Sequence, residues 1–112
     1  MLPKKNRLLD KKDFRVVFQK GVKQQGQFLV LYARASAGTD TRVGFVVGKT
    51  VSKGSVTRNQ AKRRLREAMR GFLGVLLKTS DIVVVSLPSI RGKRLKEIEE
   101  DLKLTLEKRG VL

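Results

Sequence analysis

The stretch GSVTRNQAKRRLREAMR, residues 54–70, has the longest helical pattern in the sequence. Thr57 and Gln60 lie three residues apart and match a capping box, so we expect a helix over residues 57–73. At about 100° per residue, one stripe of this helix is apolar. That stripe consists of Ala61, Leu65, Ala68, Met69 and Phe72. We therefore expect this face of the helix to pack against the core of a globular domain.

A second stripe of the same helix is almost entirely cationic. Its members are Arg58, Asn59, Lys62, Arg63, Arg66 and Arg70. Exposed cations in the first turn oppose the helix dipole at about 0.3–1 kcal/mol each, and like charges four residues apart cost about 0.2–0.5 kcal/mol more. A solvated face usually mixes both signs, whereas Glu67 is the only acid in this segment. We interpret the stripe as a polyanion-binding surface. Within this stripe, the Asn59 side chain can hydrogen-bond to a ribose, a base edge or a local backbone turn.

The whole chain is strongly basic. Its 112 residues include 26 Lys or Arg against 10 Asp or Glu, a formal net charge of +16, and 40% of them are hydrophobic. This length and apolar content suit one domain with a modest core. Self-repulsion at such a charge disfavours the compact state unless a polyanion offsets it. Nucleic acid is the first candidate partner, and an anionic membrane surface is the second.

No stretch of the sequence suits a membrane span or a secretion signal. The longest apolar runs, such as residues 82–85, are far shorter than the about 20 residues that cross a bilayer. The first residues lead into charged residues instead of a long apolar stretch. The lack of Cys agrees with a reducing compartment. We expect a soluble, cytoplasmic protein that does not bind membranes.

The residue types present exclude several kinds of active site. Without His or Cys, the chain cannot build Ser/His/Asp or Cys/His nucleophiles or the usual zinc sites. Asp10 and Asp13 would hold a hydrated Mg²⁺ weakly, but helix capping explains them without a metal. Residues 44–50, GFVVGKT, have three residues between the glycines where a phosphate-binding loop needs four. We expect no catalytic side chain and no tightly bound metal, and we add Lys49 and Lys53 to the basic surface.

The N-terminal part of the chain predicts a basic extension, residues 1–9, followed by a short helix. Asp10 is a suitable N-cap for this helix, which we expect to end near Lys20. Phe14 and Phe18 are four residues apart and therefore share one face of it.

The other elements indicate a mixed α/β domain. Residues 27–36 and 42–49 alternate as strands, and we pair them as a hairpin through a turn at residues 37–41. Residues 81–87 predict a further strand and residues 93–109 a last amphipathic helix that ends at Gly110. The expected buried stripe of that helix is Leu95, Ile98, Leu102 and Leu106. The predicted order is helix, two or three strands, helix, strand, helix in a single domain, residues 1–112.

The strand at residues 27–36 has two different faces. The all-apolar face, which should meet the core, consists of Leu29, Leu31, Ala33 and Ala35. The opposite face consists of Phe28, Val30, Tyr32 and Arg34. If the first helix crosses this second face, Phe14, Phe18 and Tyr32 would form a half-exposed aromatic cleft beside the basic helix. Stacking on aromatic rings contributes about 1–3 kcal/mol per base and tolerates any base sequence.

These residues resemble the bacterial ribonuclease P protein component over nearly the whole chain. The similar positions are Arg7-Leu8, Asp13-Phe14, Val17-Phe18, Gly21, residues 29–32, residues 42–44 and Arg58-Asn59-x-x-Lys62-Arg63-x-x-Arg66-Glu67. The last group is the family signature, in which Gln60 stands where the family usually has Arg. Gln60 lies away from the basic stripe by helical angle, so its presence weakens one possible RNA contact without undoing the resemblance.

The resemblance implies an α/β (α+β) two-layer sandwich of a mixed four-stranded sheet and three helices. Its topology would be similar to ribosomal S5 domain 2, with a left-handed βαβ crossover around the basic helix. The family binds a catalytic RNA, one protein per RNA, and the assembly removes the 5′ leader of precursor tRNA by Mg²⁺-dependent hydrolysis. The RNA supplies the chemistry and holds the Mg²⁺.

The resemblance also implies where RNA binds. By position, Arg58, Asn59, Lys62, Arg63 and Arg66 would face the RNA subunit, with Arg70, Lys49 and Lys53 extending that surface. Phe14, Phe18 and Tyr32, with Val30, would line the cleft for the single-stranded leader.

Other classes share some of these features. A ribosomal protein has similar size, charge and fold relatives, and co-purification with ribosomal particles would distinguish it. A DNA-architectural protein should carry wedge residues on extended arms, for which the turn at residues 37–41 is too short. A self-sufficient nuclease is disfavoured by the missing catalytic residue types.

Overall fold

The computed structural model describes residues 2–36 and 38–112. The elements are helix α1 Lys11–Lys20, strands β1 Val22–Gln25, β2 Leu29–Ala35 and β3 Arg42–Val46, helix α2 Ser55–Arg70, strand β4 Ser80–Ser86 and helix α3 Leu95–Arg109. The strands form one sheet in the order β1-β2-β4-β3. The β3–β4 pair is parallel and the other two pairs are antiparallel. The predicted mixed four-stranded sheet with three helices is confirmed.

The predicted hairpin between the second and third strands is wrong. β2 pairs with β1 and β4, whereas β3 pairs with β4 in parallel, so that α2 is the crossover between two neighbouring strands. The reason is the apolar content of β4, whose Ile82, Val83 and Val84 are fully buried. A strand that is apolar on both faces takes the centre of a sheet with helices on both sides. Ala37, in the predicted turn, lies outside the described residues.

The sheet separates two apolar clusters. The larger cluster lies between the sheet and the helices α2 and α3 and includes the predicted core residues Leu29, Leu31, Leu65, Ile98, Leu102 and Leu106. The smaller cluster lies under α1 and consists of Leu8, Val17 and Val83, with Phe14, Tyr32, Val46 and Val85 packed against it. α1 therefore crosses the sheet face that carries Tyr32 and forms a partial layer on it, which is the arrangement that the aromatic cleft requires.

The alternation of the strand predicts Phe28 on the same face as Tyr32, and this prediction is wrong. The residue precedes β2 and belongs to the larger cluster. Asp101 of α3 explains the change of direction, because its carboxylate accepts hydrogen bonds from the amides of Gln27 and Phe28, both at 2.8 Å. These bonds fix the chain as it turns from β1 into β2.

Two helix ends that are set by local capping lie where expected, and the start of α2 does not. Asp10 caps α1 by accepting a hydrogen bond from the Lys12 amide at 2.9 Å, and Gly110 ends α3 with a positive φ of 83°. α2 begins at Ser55 with Gly54 as its N-cap and no side-chain cap. The Thr57–Gln60 capping box is therefore wrong. The helix starts two residues earlier than predicted.

Residues 2–9 of the predicted extension pack against the domain. Leu2 joins the larger cluster and Leu8 the smaller one. Arg7 forms an isolated parallel β-bridge with Val43, and the Leu8 amide donates to the Val43 carbonyl at 3.0 Å. This segment lies along the free edge of β3. In the part of the chain described, no helix is long and apolar enough to cross a membrane.

Candidate nucleic-acid interface

The predicted basic stripe of α2 lies along the outside of the helix and along one flank. Asn59, Arg63 and Arg70 are exposed, whereas Lys62 and Arg66 are half-buried beside β3. Among residues 2–36 and 38–112, Arg70 is the only stripe cation in an ion pair, and the other ion pairs belong to Arg42 of β3. The chain's own acids thus leave most of the stripe's positive charge without compensation.

Two stripe arginines have partners within the protein. Arg70 Nη2 lies 2.9 Å from Glu67 Oε1 one turn earlier. Arg58 Nη1 donates to the backbone carbonyls of Ser52 and Lys53, at 2.9 and 2.8 Å. Arg58 therefore closes the loop between β3 and α2, which carries the exposed Lys49 and Lys53. These two hydrogen bonds stabilise the conformation of the loop.

A groove of about 320 Å³ brings one ring of the predicted aromatic cleft and two stripe cations together. Phe14 of α1 lines it on one side, and Lys62 and Arg66 of α2 line it on the other. Leu8, Gly44 and Phe45 also line it. An unpaired cationic flank next to an apolar, aromatic wall is suited to a single nucleic-acid strand, whose phosphates and bases need different surfaces.

The ring of Phe14 lies directly over Gly44 of β3. A Cβ atom at this position would overlap the Phe14 ring. Gly44 therefore allows α1 to approach the sheet closely enough for Phe14 to form the groove wall.

Phe18 and Tyr32 form a separate aromatic pair on the same face of the sheet. Their ring centroids are 4.9 Å apart with an interplanar angle of 75°, an edge-to-face arrangement. Phe18 is 40% exposed, whereas Val30, also predicted for the cleft, is buried. The structure therefore places Phe14 with the cations, Phe18 with Tyr32 beside it, and Val30 beneath the surface.

Arg42 is a positioning residue that the site prediction omitted. Its Nε and Nη2 donate to the two carboxylate oxygens of Asp81 at 3.1 and 3.0 Å, and its Nη1 donates to Asp13 Oδ2 at 3.1 Å. The hydrogen bond to Asp81 is the main reason why the pKa of Arg42 is raised above its ordinary value. Because Asp13 precedes Phe14, this network ties the aromatic wall to β3 and β4. Only the three-dimensional structure brings these distant positions together.

The residues described contain no group of three or more His, Cys, Asp or Glu side chains placed to hold a metal ion.

The chain matches the family model for ribonuclease P over residues 2–110. The chain belongs to the ribonuclease P protein family. It is 41% identical over 113 residues to the ribonuclease P protein component of Pseudanabaena sp., covering 100% of this chain and 97% of that relative. It is 33% identical over 111 residues to that of Syntrophomonas wolfei, covering 99% and 92%.

Solved structures of the family have the same fold. The ribonuclease P protein of Thermotoga maritima matches with a TM-score of 0.81 and 28% identity, covering 91% of this chain and 96% of that one. The protein from Staphylococcus aureus matches with a TM-score of 0.83 at 24% identity, covering 95% and 96%. The chain is thus a protein subunit of bacterial ribonuclease P, an RNA-binding component of a tRNA-processing ribonuclease, and the ribosomal-protein alternative is not favoured.

Proposed function

We propose that this chain binds the catalytic RNA of ribonuclease P together with the 5′ leader of precursor tRNA. One copy acts on each RNA, and the RNA carries out the cleavage that produces the mature 5′ end. The observation that carries this proposal is the groove in which Lys62 and Arg66 lie opposite Phe14.

In this proposal the groove holds a single strand of leader. Phosphates of the strand contact Lys62 and Arg66, whose charges the protein leaves unpaired, and a base stacks on Phe14. The Phe18–Tyr32 pair extends the aromatic surface for a neighbouring base. Because every base has a π-face and every nucleotide a phosphate, this arrangement accepts leaders of different sequence.

The outer face of α2 meets the RNA subunit. Asn59 and Arg63 project there, and Lys49 and Lys53 extend the charge beyond the start of the helix. Two RNAs repel each other where their backbones meet, and cations between them offset that repulsion. The contribution of the protein is therefore electrostatic and positional.

We assign the Mg²⁺ of the reaction to the RNA subunit. When bound there, the metal would activate water and stabilise the leaving oxygen of the phosphodiester. The protein's own residues hold the leader in register and screen backbone charge.

A reconstitution experiment tests this function. The chain is added to ribonuclease P RNA at low Mg²⁺, and release of the 5′ leader from precursor tRNA is followed. We expect the chain to raise kcat/KM and to lower the Mg²⁺ concentration required. No stimulation at any protein concentration would contradict the proposal, and cleavage by the RNA-free chain would contradict the assignment of chemistry to the RNA.

A further inference from the structure

A second basic segment lies away from the groove, at residues 91–96, RGKRLK. Its cations are Arg91, Lys93, Arg94 and Lys96. It leads into α3, which begins at Leu95, and Glu97 is the only acid in the first turn of that helix. None of the segment's cations takes part in the ion pairs found among the described residues.

This segment is held in place by the fold. The preceding Ile90 is buried in the larger cluster, and Arg64 Nη1 of α2 donates to the Lys93 carbonyl at 3.0 Å. Lys93 Nζ lies 5.1 Å from the centroid of the Phe28 ring. A fixed backbone with outward cations differs from a flexible charged tail, because less conformational entropy is lost when it binds.

The charge in this segment is placed where it weakens the helix. Cations at a helix N-terminus oppose the macrodipole, and Arg94 and Lys96 flank the first residue of α3. Neighbouring like charges add repulsion. Glu97 caps the helix by accepting a hydrogen bond from the Arg94 amide at 3.1 Å, but it forms no ion pair with the segment's cations among the described residues. This uncompensated positive charge indicates a polyanionic partner.

The topology places the segment at the same end of the domain as Lys49 and Lys53. β3 and β4 are adjacent and parallel, so the loops after their carboxyl ends emerge at one edge of the sheet. One loop carries the two lysines, and the other leads into residues 91–96. Together they form a cationic end face, and α2 begins at this end of the domain.

The groove and the segment lie on opposite flanks of α2. Lys62 lines the groove, and Arg64 contacts the segment. These residues are two positions apart in the helix, so their side chains project about 200° apart. A strand lying in the groove therefore does not reach the segment, which needs a different stretch of RNA.

We propose that residues 91–96 bind the phosphate backbone of a double-helical part of the ribonuclease P RNA. This inference rests on the proposed function and adds a contact that the groove does not supply. The segment offers guanidinium and ammonium groups but no open aromatic surface, because Phe28 is only 8% exposed and lies under Lys93. Phosphates of a duplex require charge without stacking, whereas unpaired bases require both.

A triple variant with a matched control tests the inference. Arg91→Gln, Arg94→Gln and Lys96→Gln are combined in one chain, and Lys78→Gln, Lys103→Gln and Lys108→Gln in another. All six residues are exposed, and both variants lose three positive charges. The control residues lie in the second half of α3 or before β4, away from the cationic end face. The Kd for ribonuclease P RNA from the same source is measured across a range of KCl concentrations.

We expect the 91–96 variant to bind the RNA at least about tenfold more weakly than the control. Its log–log salt slope should be shallower by about 0.9 for each lost phosphate contact. Its Tm should be unchanged or higher, since unfavourable charge leaves the start of α3, and its affinity for a single-stranded leader oligonucleotide should match the control. Equal Kd and equal slope in the two variants would overturn the inference alone. Failure of the unmodified chain to bind the RNA would overturn the proposed function as well.

Discussion

Three arginines near the groove share one functional group but differ in the partners of their guanidinium groups. Arg42 contacts two carboxylates, Arg58 contacts two backbone carbonyls, and Arg66 lines the groove with no acid beside it. A charge that the protein already neutralises contributes to folding, whereas one left open to the solvent is available for a ligand. These contacts therefore predict opposite outcomes for the same substitution.

Arg66→Ala should weaken binding without unfolding the protein. We expect about a tenfold loss of affinity for precursor tRNA, the size of one charge-assisted contact, and a salt slope for leader binding shallower by about 0.7. The Tm should change little, because Arg66 makes no ion pair among the residues described. Lys103→Ala, which removes one exposed positive charge of α3 outside the proposed RNA-binding surfaces, is the matched control. A large fall in Tm with unchanged kinetics would show that Arg66 has a structural role.

Arg42→Ala should mainly destabilise the fold. The substitution leaves the buried Asp81 without its bidentate partner, and we expect a loss of about 1–3 kcal/mol in the free energy of unfolding. Urea unfolding monitored by circular dichroism measures this loss. The double variant Arg42→Ala/Asp81→Asn should recover part of it, since the remaining group is then uncharged. No recovery would indicate that the carboxylate of Asp81 is solvated without Arg42.

The position of α1 on the sheet determines whether the groove has an aromatic wall. That position depends on Gly44, above which the Phe14 ring lies, and on the hydrogen bond from Arg42 to Asp13. A shift of α1 would change leader binding even if the cations of α2 stayed in place.

Gly44→Ala should displace Phe14 and with it α1. Overpacking of this kind costs about 1–3 kcal/mol, and we expect a lower Tm together with weaker binding of precursor tRNA. The double variant Gly44→Ala/Phe14→Leu should regain stability, because the smaller side chain removes the overlap, but it should not regain leader affinity. Full stability of the single variant would mean that α1 does not need this close approach.

The elements that could be predicted from the sequence are those whose signals are local. Asp10 and Gly110 mark the ends of α1 and α3 through interactions with their own neighbours in the chain. The strand partners could not be predicted in this way, because the choice of β4 for β3 depends on which strand is apolar on both faces. β1 was not predicted either, since its sequence, VKQQ, is mainly polar and exposed at a sheet edge.

The candidate site could be predicted only where its residues follow from a local pattern in the sequence. The angular positions in α2 identified the cations, and the strand's alternation identified the face that carries Tyr32, but it left open whether α1 crosses that face. Of the three rings predicted for the cleft, only Phe14 lines the groove with Lys62 and Arg66. This depends on where α1 lies relative to α2, which no local pattern predicts. The carbonyl contacts of Arg58 depend on the fold of a loop with no sequence signature.

At the scale of the whole molecule, the net charge of +16 predicts opposite effects of salt on folding and on binding. Screening reduces self-repulsion in the compact state, so Tm should rise between low and moderate KCl. The same change should weaken RNA binding steeply, because counterions released on association gain less entropy when the bulk salt is more concentrated. Thermal unfolding and RNA titration in the same buffers check this. A Tm that falls as KCl rises would contradict the view that self-repulsion limits stability.

In the proposed complex, one groove holds the leader strand between Phe14 and the cations of α2. The most direct test compares the affinity of the reconstituted enzyme for precursor tRNA with its affinity for mature tRNA, which has no leader. We predict that Phe14→Leu and Arg66→Ala each weaken binding of the precursor about tenfold and leave binding of the mature tRNA unchanged. Equal losses of affinity for both RNAs, or no loss for either, would show that the groove does not hold the leader.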